Sequence, residues 1–201
     1  MPPPTRWGEP QPGPLQRLVA RARSLFGTDG SVSAQSLRPL PLALQRGELA
    51  ERYLGAERSD DHERAGVAAT AAMERAVVGA EWWAADLWGH RALWHFERAG
   101  MELAATRAAR LIGDVRASAG DPASARRYYA EAISEARDIG AEREEGLAAL
   151  GMGRAAMDLS DVTTARRLAA IAVDLLERCG APADEVAAAR DLRGEEKEVS
   201  G

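Results

Sequence analysis

The chain has 201 residues, of which 31 are acidic and 26 basic, giving a formal net charge of −5. Proteins that coat nucleic acid usually carry a strong basic excess, so this balance argues against direct nucleic-acid binding. The single cysteine, Cys179, excludes an intrachain disulfide, and no window holds the roughly 18 uninterrupted apolar residues of a membrane span. The N-terminus lacks the apolar region of a signal peptide, which predicts a cytoplasmic protein. Its arginine-rich composition, with Lys197 as the only lysine, suggests a bacterial source.

The first part of the chain is predicted to be an extension. Residues 1–14 hold six prolines and should form a disordered tail. Residues 15–59 should be a helical extension, with an amphipathic helix at 15–26, a linker at 27–41 and a second helix at about 41–54. Three roles stay open for the basic first helix. We expect it to cap the first repeat, and the alternatives are docking on an anionic membrane surface or occupying the protein's own groove until a partner arrives.

Residues 60–193 are predicted to form a repeat domain, in which one forty-residue pattern occurs three times between about residues 61 and 180. Glycine stands at Gly100, Gly140 and Gly180, and alanine stands fifteen and eight residues before each glycine. These alanines are Ala85, Ala92, Ala125, Ala132, Ala165 and Ala172. Self-similarity at a fixed period is typical of stacked-repeat architectures. No segment alternates as a strand does, so the pattern predicts an all-α fold.

Helix boundaries follow from the same frame. The predicted helices span about 60–78, 82–99, 101–118, 122–139, 141–158, 162–179 and 183–193. Asp60 with Glu63 resembles a capping box, and Asp121 and Asp161 suit N-cap positions. Gly79 and Gly120 should mark one set of turns. The last helix should cap the stack, facing inward with Ala187, Ala188 and Leu192, before a charged tail at 194–201.

These residues resemble the tetratricopeptide repeat (TPR) family, in a variant with forty-residue repeats. One copy supplies Ile112-Gly113, Gly120-Asp121, Ala125, Tyr128-Tyr129 and Ala132. The next supplies Met152-Gly153, Ser160-Asp161, Ala165, Leu168 and Ala172. The first copy has Met73 in place of the helix-A glycine, and all copies lack the family's closing proline. The resemblance implies a right-handed superhelix of antiparallel helix pairs, with about three repeats plus capping helices.

Small residues at fixed positions predict close helix crossings. Helix axes approach to about 8–10 Å only where the contacting side chains are small. We therefore expect Ala125 and Ala165 to contact the partner helix near Gly113 and Gly153. These residues are predicted to be scaffold, and the residues between them to choose the ligand.

The resemblance also implies that ligands lie along the concave surface of the first helix of each pair. Its groove positions fall on Thr70, Glu74, Val77, Arg107, Arg110, Asp114, Leu147, Leu150, Arg154, Met157 and Asp158. The three arginines among them favour an extended peptide with acidic and aliphatic residues. The alternative is that these arginines only pair with neighbouring acids on a solvated face.

Aromatic residues concentrate in the first copy. Trp82, Trp83, Trp88 and Trp94 fall within one predicted helix. They either fill the core or anchor an interface with a partner or a second copy, because tryptophan is enriched at interface anchors.

Catalytic and metal-binding patterns are missing from the sequence. His62, His90 and His95 lack the i, i+4 spacing of a helical metal site. Cys179 has no pattern of a nucleophile around it, and Gly151-Met152-Gly153 lies inside a predicted helix, where a phosphate loop cannot form. We therefore expect no enzyme and no cofactor. The sequence predicts a protein–protein interaction module, an adaptor or scaffold that binds a peptide or partner protein. The alternative is a regulatory sensor that responds to a peptide or metabolite, as in TPR-containing bacterial regulators.

Overall fold

The computed structural model describes residues 40–194, without the side chain of Leu42. The predicted tail at 1–14, the helix at 15–26, nearly all of the linker and the charged residues from 195 lie outside the described residues. A 3₁₀ turn at Leu42–Leu44 is followed by eight α-helices. They are α1 (Glu48–Arg58), α2 (His62–Val78), α3 (Trp82–Arg98), α4 (Glu102–Ser118), α5 (Pro122–Asp138), α6 (Glu142–Asp158), α7 (Val162–Arg178) and α8 (Ala183–Arg193).

The prediction of an all-α stacked fold is confirmed. Residues 40–194 contain no strand, and each helix packs on the helix before it and the helix after it. Turns of three residues join α1 through α7 and return the chain antiparallel. In addition to these sequential contacts, α6 touches α4 and α8. The first helices of successive pairs therefore form one continuous layer at this end of the stack.

The helices follow one another every twenty residues, half of the forty-residue period of the sequence. Each helix from α2 to α7 has 17 residues, and their starts follow every twenty residues, at 62, 82, 102, 122, 142 and 162. Helix α1 ends at Arg58, forty residues before the end of α3 at Arg98. Helix α1 thus occupies the second-helix position of an additional, earlier copy.

The turns explain this regularity. A residue with positive φ follows each helix from α1 to α7, at Asp60, Ala80, Gly100, Gly120, Gly140, Ser160 and Gly180. In each turn the next backbone N–H reaches back five residues to a carbonyl, as Glu81 does to Ala76 at 2.8 Å. This is the bond of a Schellman helix end. Gly79 lies in the turn as predicted, but its φ is −80° and the left-handed conformation falls on Ala80.

Aspartate caps three helices. The side chains of Asp61, Asp121 and Asp161 accept hydrogen bonds from the backbone N–H three residues on. Asp121 and Asp161 were predicted in this role. Asp60 was predicted too, but it has φ 55° and serves the preceding turn, so its neighbour Asp61 is the cap.

The second predicted helix, at 41–54, starts and ends later than expected. Gly47 has φ 97°, which a right-handed helix cannot contain, so α1 begins only at Glu48. Its end at Arg58 is set by the Schellman bond from Asp61 to the carbonyl of Ala56, at 3.0 Å.

The six alanines of the repeat are buried, and two of them, Ala125 and Ala165, were predicted to lie at helix crossings. All six have no exposed surface. A β-carbon added at Gly153 would lie 3.3 Å from the carbonyl oxygen of Ala165, which confirms that crossing. At Gly113 the nearest atoms belong to the ring of Tyr129 instead.

The last helix caps the stack, and its inward face was predicted in part, since Ala188 and Leu192 pack against the core as expected. Val186 and Ala189 are buried, whereas Ala187 is exposed. The buried residues are three apart, and Ala187 is turned about 100° from Val186 around the helix. Leu192 does face inward, since its Cδ2 would lie 2.9 Å from a β-carbon at Gly153.

Candidate functional site

The predicted groove residues lie on α2, α4 and α6. We call the surface that these three helices share the A-helix surface. Glu74, Arg107, Arg154, Met157 and Asp158 are exposed on it. Leu150 is the exception, because it is only 4% exposed and packs with Val173, Leu176 and Val186 beneath the surface.

A cleft opens on this surface between α2 and α4, with a volume of about 240 Å³. Its lining residues are Met73, Glu74, Val77, Leu111, Asp114, Val115 and Ser118. Glu74 and Asp114 belong to the predicted site, as does the groove position Val77. Sequence reasoning missed the remaining four. Leu111 and Val115 carried the available signal, an apolar i, i+4 pair, but every core-facing helix shows the same spacing.

Arg110 lies beside the cleft and is already paired. Its Nε donates to Oε2 of Glu144 on α6 at 2.8 Å, and its Nη1 donates to Oδ2 of Asp114 at 2.8 Å. The arginine side chain is only 12% exposed. For Arg110 the structure shows the alternative expectation, in which the arginine pairs with neighbouring acidic residues. Arg107 and Arg154 differ in that both are exposed.

Tyr129 of α5 reaches the same network from behind. Its hydroxyl donates to Oδ1 of Asp114 at 2.8 Å. A β-carbon at Gly113 would lie 2.7 Å from the tyrosine ring, and one at Gly151 would lie 2.5 Å from it. Two helical glycines thus make room for the ring between α4 and α6. The glycines of the Gly-Met-Gly sequence, Gly151 and Gly153, therefore allow neighbouring residues to pack closely against α6.

Burial controls the protonation of this network. It raises the pKa of Asp114, while Arg110, the hydrogen bond from Tyr129 and Arg154 act in the opposite direction. Burial also raises the pKa of Tyr129, and the negative charge of Asp114 adds to the effect. Tyr129 therefore stays a neutral hydrogen-bond donor at neutral pH. Its role is to fix the orientation of the Asp114 carboxylate.

The cleft between α2 and α4 has room for about one side chain of a ligand. Clefts that hold a complete small-molecule ligand measure about 300–1,000 Å³. A second cleft, of about 490 Å³, lies between α1 and α2. None of the predicted groove residues lines that second cleft.

A separate cluster of polar side chains joins α1, α2 and α3. The guanidinium of Arg91 donates to the hydroxyl of Tyr53 at 2.8 Å, and that hydroxyl donates to Glu57 at 3.0 Å. Tyr53 also lies 3.1 Å from Nε2 of His95. Arg91 is 3% exposed and His95 is 1% exposed. Sequence reasoning missed this cluster because Tyr53 and Arg91 are 38 residues apart.

One arrangement of protons satisfies the hydrogen bonds of this cluster. Arg98 Nε can only donate, so Nε2 of His62 accepts its bond at 3.3 Å. Nδ1 of His62 then donates to Nδ1 of His95 at 3.0 Å, which leaves Nε2 of His95 to donate to Tyr53. Burial, followed by the neighbouring His62 and Arg91, lowers the pKa of His95 to about 4.

Between residues 40 and 194 no group of three or more His, Cys, Asp or Glu side chains could hold a metal ion. The hydrogen bonds from Arg91 and His95 to Tyr53 join α3 to α1.

The tryptophans of α3 have different environments. Trp88 is 4% exposed and packs edge-on against Tyr53, with ring centroids 5.1 Å apart, so it belongs to the core. Trp94 is half-buried against His62 and lies under the guanidinium of Arg98. Trp82 is half-buried as well, whereas Trp83 is 62% exposed. Among the four, only Trp83 exposes most of its surface to solvent.

Comparison with known proteins adds no assignment. The sequence matches no protein-family model and no curated protein. Within the described part of the chain, no helix has the length and apolar character that crossing a membrane requires.

Proposed function

We propose that this protein is a cytoplasmic protein–protein interaction module, an adaptor or scaffold without catalytic activity. It holds an extended peptide segment of a partner protein along the A-helix surface. We also propose that its repeats are a forty-residue variant of the TPR family. The observation that carries the binding proposal is the apolar cleft between α2 and α4, which lies where the resemblance puts the ligand.

The composition of the cleft supports a peptide. Four of its lining residues, Met73, Val77, Leu111 and Val115, are apolar, and charged groups lie at its edge. Binding sites commonly combine an apolar floor with a few polar groups that fix the orientation of the ligand. Because the cleft takes about one side chain, the rest of the ligand must run outside it. That division favours a peptide over a self-contained metabolite as the ligand of this cleft.

Peptide selection with a matched pair of variants tests this function. Random peptides displayed on phage are selected on the full-length protein, and the dissociation constants of the selected peptides are measured. Val77 lines the cleft, whereas its neighbour Val78 is 90% exposed and does not line it. Val77→Trp should fill the cleft and weaken binding on the order of tenfold or more, as loss of a buried anchor does. Val78→Trp should bind as the unmodified chain does.

Two results would contradict the function. Selection could yield no peptide that binds the protein. Alternatively, selected peptides could bind the Val77→Trp and Val78→Trp variants equally well, which would place their binding site elsewhere.

A further inference from the structure

The charge of the cleft differs from what the sequence suggested. Its only charged lining residues are Glu74 and Asp114, and both are acidic. Arg107, Arg110 and Arg154, the arginines that favoured an acidic ligand, all lie outside the lining. A ligand side chain that enters the cleft therefore meets an apolar floor and two carboxylates.

Arg110 is poorly placed to bind an acidic ligand group. Two of its nitrogen atoms already donate to Glu144 and Asp114, both at 2.8 Å. A ligand carboxylate would have to displace one of these partners, and the displaced carboxylate would lose a charge-assisted hydrogen bond in a half-buried place. Such a bond contributes more than a neutral one, so the exchange gains little.

The two carboxylates can still accept hydrogen bonds. Glu74 is exposed, and among residues 40–194 the structure shows no hydrogen bond or ion pair to its carboxylate. The side chain of Asp114 is 44% exposed, and each of its oxygens receives one bond, from Tyr129 and from Arg110. An ionised carboxylate has about four acceptor sites, so Asp114 keeps some of them. Tyr129 and Arg110 also hold it in one orientation, which lowers the entropy lost on binding.

Long basic side chains match these walls. Lysine and arginine lay an alkyl stem on apolar surface and keep the charged group at a polar edge. Here the stem would lie on Met73, Val77 and Leu111, and the cation would face Glu74 and Asp114.

Resting on the proposed function, we infer that the α2/α4 cleft receives one arginine or lysine side chain of the bound peptide. Glu74 and Asp114 select for the positive charge, and the apolar floor selects for the long stem. Arg110 and Tyr129 are positioning residues for Asp114. The ligand is thus a peptide with a basic residue at this position.

Peptide pools test the inference. The probes are nine-residue peptide pools in which the central position is fixed as each amino acid in turn and the other positions are mixed. Binding to the full-length protein is measured by fluorescence anisotropy. The pools fixed as arginine and lysine should bind most tightly. If the pools fixed as aspartate or glutamate bind best, or if purely aliphatic ones do, the inference is wrong while the groove function stands. If no pool binds, the proposed function fails and this inference fails with it.

Charge variants give a second readout. Glu74→Gln should weaken binding of an arginine-centred peptide on the order of tenfold, the effect of losing one charge-assisted hydrogen bond. Glu51→Gln, which makes the same change at an exposed position on α1 outside the cleft, should leave the affinity unchanged. Glu74→Lys should move the preferred central residue from arginine to glutamate. Equal effects of Glu74→Gln and Glu51→Gln, or an unchanged preference in Glu74→Lys, would overturn the inference.

Discussion

Helices α3 and α7 occupy the same place in the frame, eighty residues apart, yet they are held in the stack in different ways. On α3 the buried positions include Trp88, Arg91 and His95, and the last two make hydrogen bonds to Tyr53 of α1. The matching positions on α7 are Leu168, Ile171 and Leu175, which have no polar side-chain atoms.

The cause of the difference lies in the neighbouring helices. Helix α3 packs against Tyr53 of α1, which presents both an aromatic ring and a hydroxyl group. Trp88 packs on the ring, and Arg91 donates a hydrogen bond to the hydroxyl. Helix α7 packs on α6 and α8 through Leu150, Val173 and Leu176, and Ile171 remains 42% exposed. One backbone frame thus accepts a directional, titratable core at one end and a plain aliphatic core at the other.

The largest effect should come from removing the centre of each core. Trp88→Ala removes a ring that is 4% exposed and should lower the free energy of unfolding by about 3–5 kcal/mol. Leu168→Ala, at the matching position and 8% exposed, removes fewer atoms and should cost about 2–3 kcal/mol. Urea unfolding followed by circular dichroism measures both. If Leu168→Ala costs as much as Trp88→Ala, the aromatic core around α3 is no more stabilising than the aliphatic core around α7.

Protonation should separate the two ends further. The pKa of His95 is lowered to about 4 from an ordinary value of 6.5, so below pH 6.5 the unfolded chain binds a proton that the folded chain refuses. Stability from this group is complete above pH 6.5 and falls as the pH decreases toward 4. Between pH 7 and pH 5 the expected loss is about 2 kcal/mol. Protonation of His95 would also add a hydrogen at its Nδ1, which would then face the Nδ1–H of His62.

Glu97 titrates in the same range with the opposite sign. Burial, with a contribution from Glu131, raises its pKa to about 7, so the folded chain gains relative stability as the pH falls toward 4.5. The His95 measurement is therefore made in a Glu97→Gln background. There, the free energy of unfolding should fall from pH 7 to pH 5, and the additional change His95→Gln should remove most of that fall. The same pH dependence with and without His95 would show that another group is responsible.

These two cores also show why part of the structure could be predicted and part could not. The frame was predictable because the same alanines recur in register and each is fully buried. Arg91 was not, because Glu131 and Ile171 stand at its position in the later copies, and that variation is typical of a solvated face. Its burial depends on α1, whose place in the frame is hidden by Asp60, which replaces the glycine of the other turns of this kind.

The candidate site was predictable to a smaller extent for a similar reason. The resemblance indicated the helices and selected Glu74 and Asp114. The spacing between α2 and α4, and the reach of Glu144 from α6 to Arg110, depend on the packing of different repeats. A pattern within one repeat carries no information on those distances.

Glycines inside helices offer the most discriminating comparison, although its effects are the smallest. Replacing a helical glycine by alanine stabilises an unhindered helix by about 0.5–1 kcal/mol, whereas forcing a methyl group into a packed core costs about 1–3 kcal/mol. At Gly151 the added β-carbon would lie 2.5 Å from the ring of Tyr129, so the clash should win and Gly151→Ala should destabilise the protein by about 1–2 kcal/mol. At Gly55 of α1 nothing lies within 4 Å of the added β-carbon, so Gly55→Ala should stabilise it by about 0.5–1 kcal/mol. Opposite signs in urea unfolding would support the placement of Tyr129 between α4 and α6. If Gly151→Ala stabilised the protein, the Tyr129 ring could not lie between α4 and α6. It could then not support the Asp114 carboxylate in the cleft.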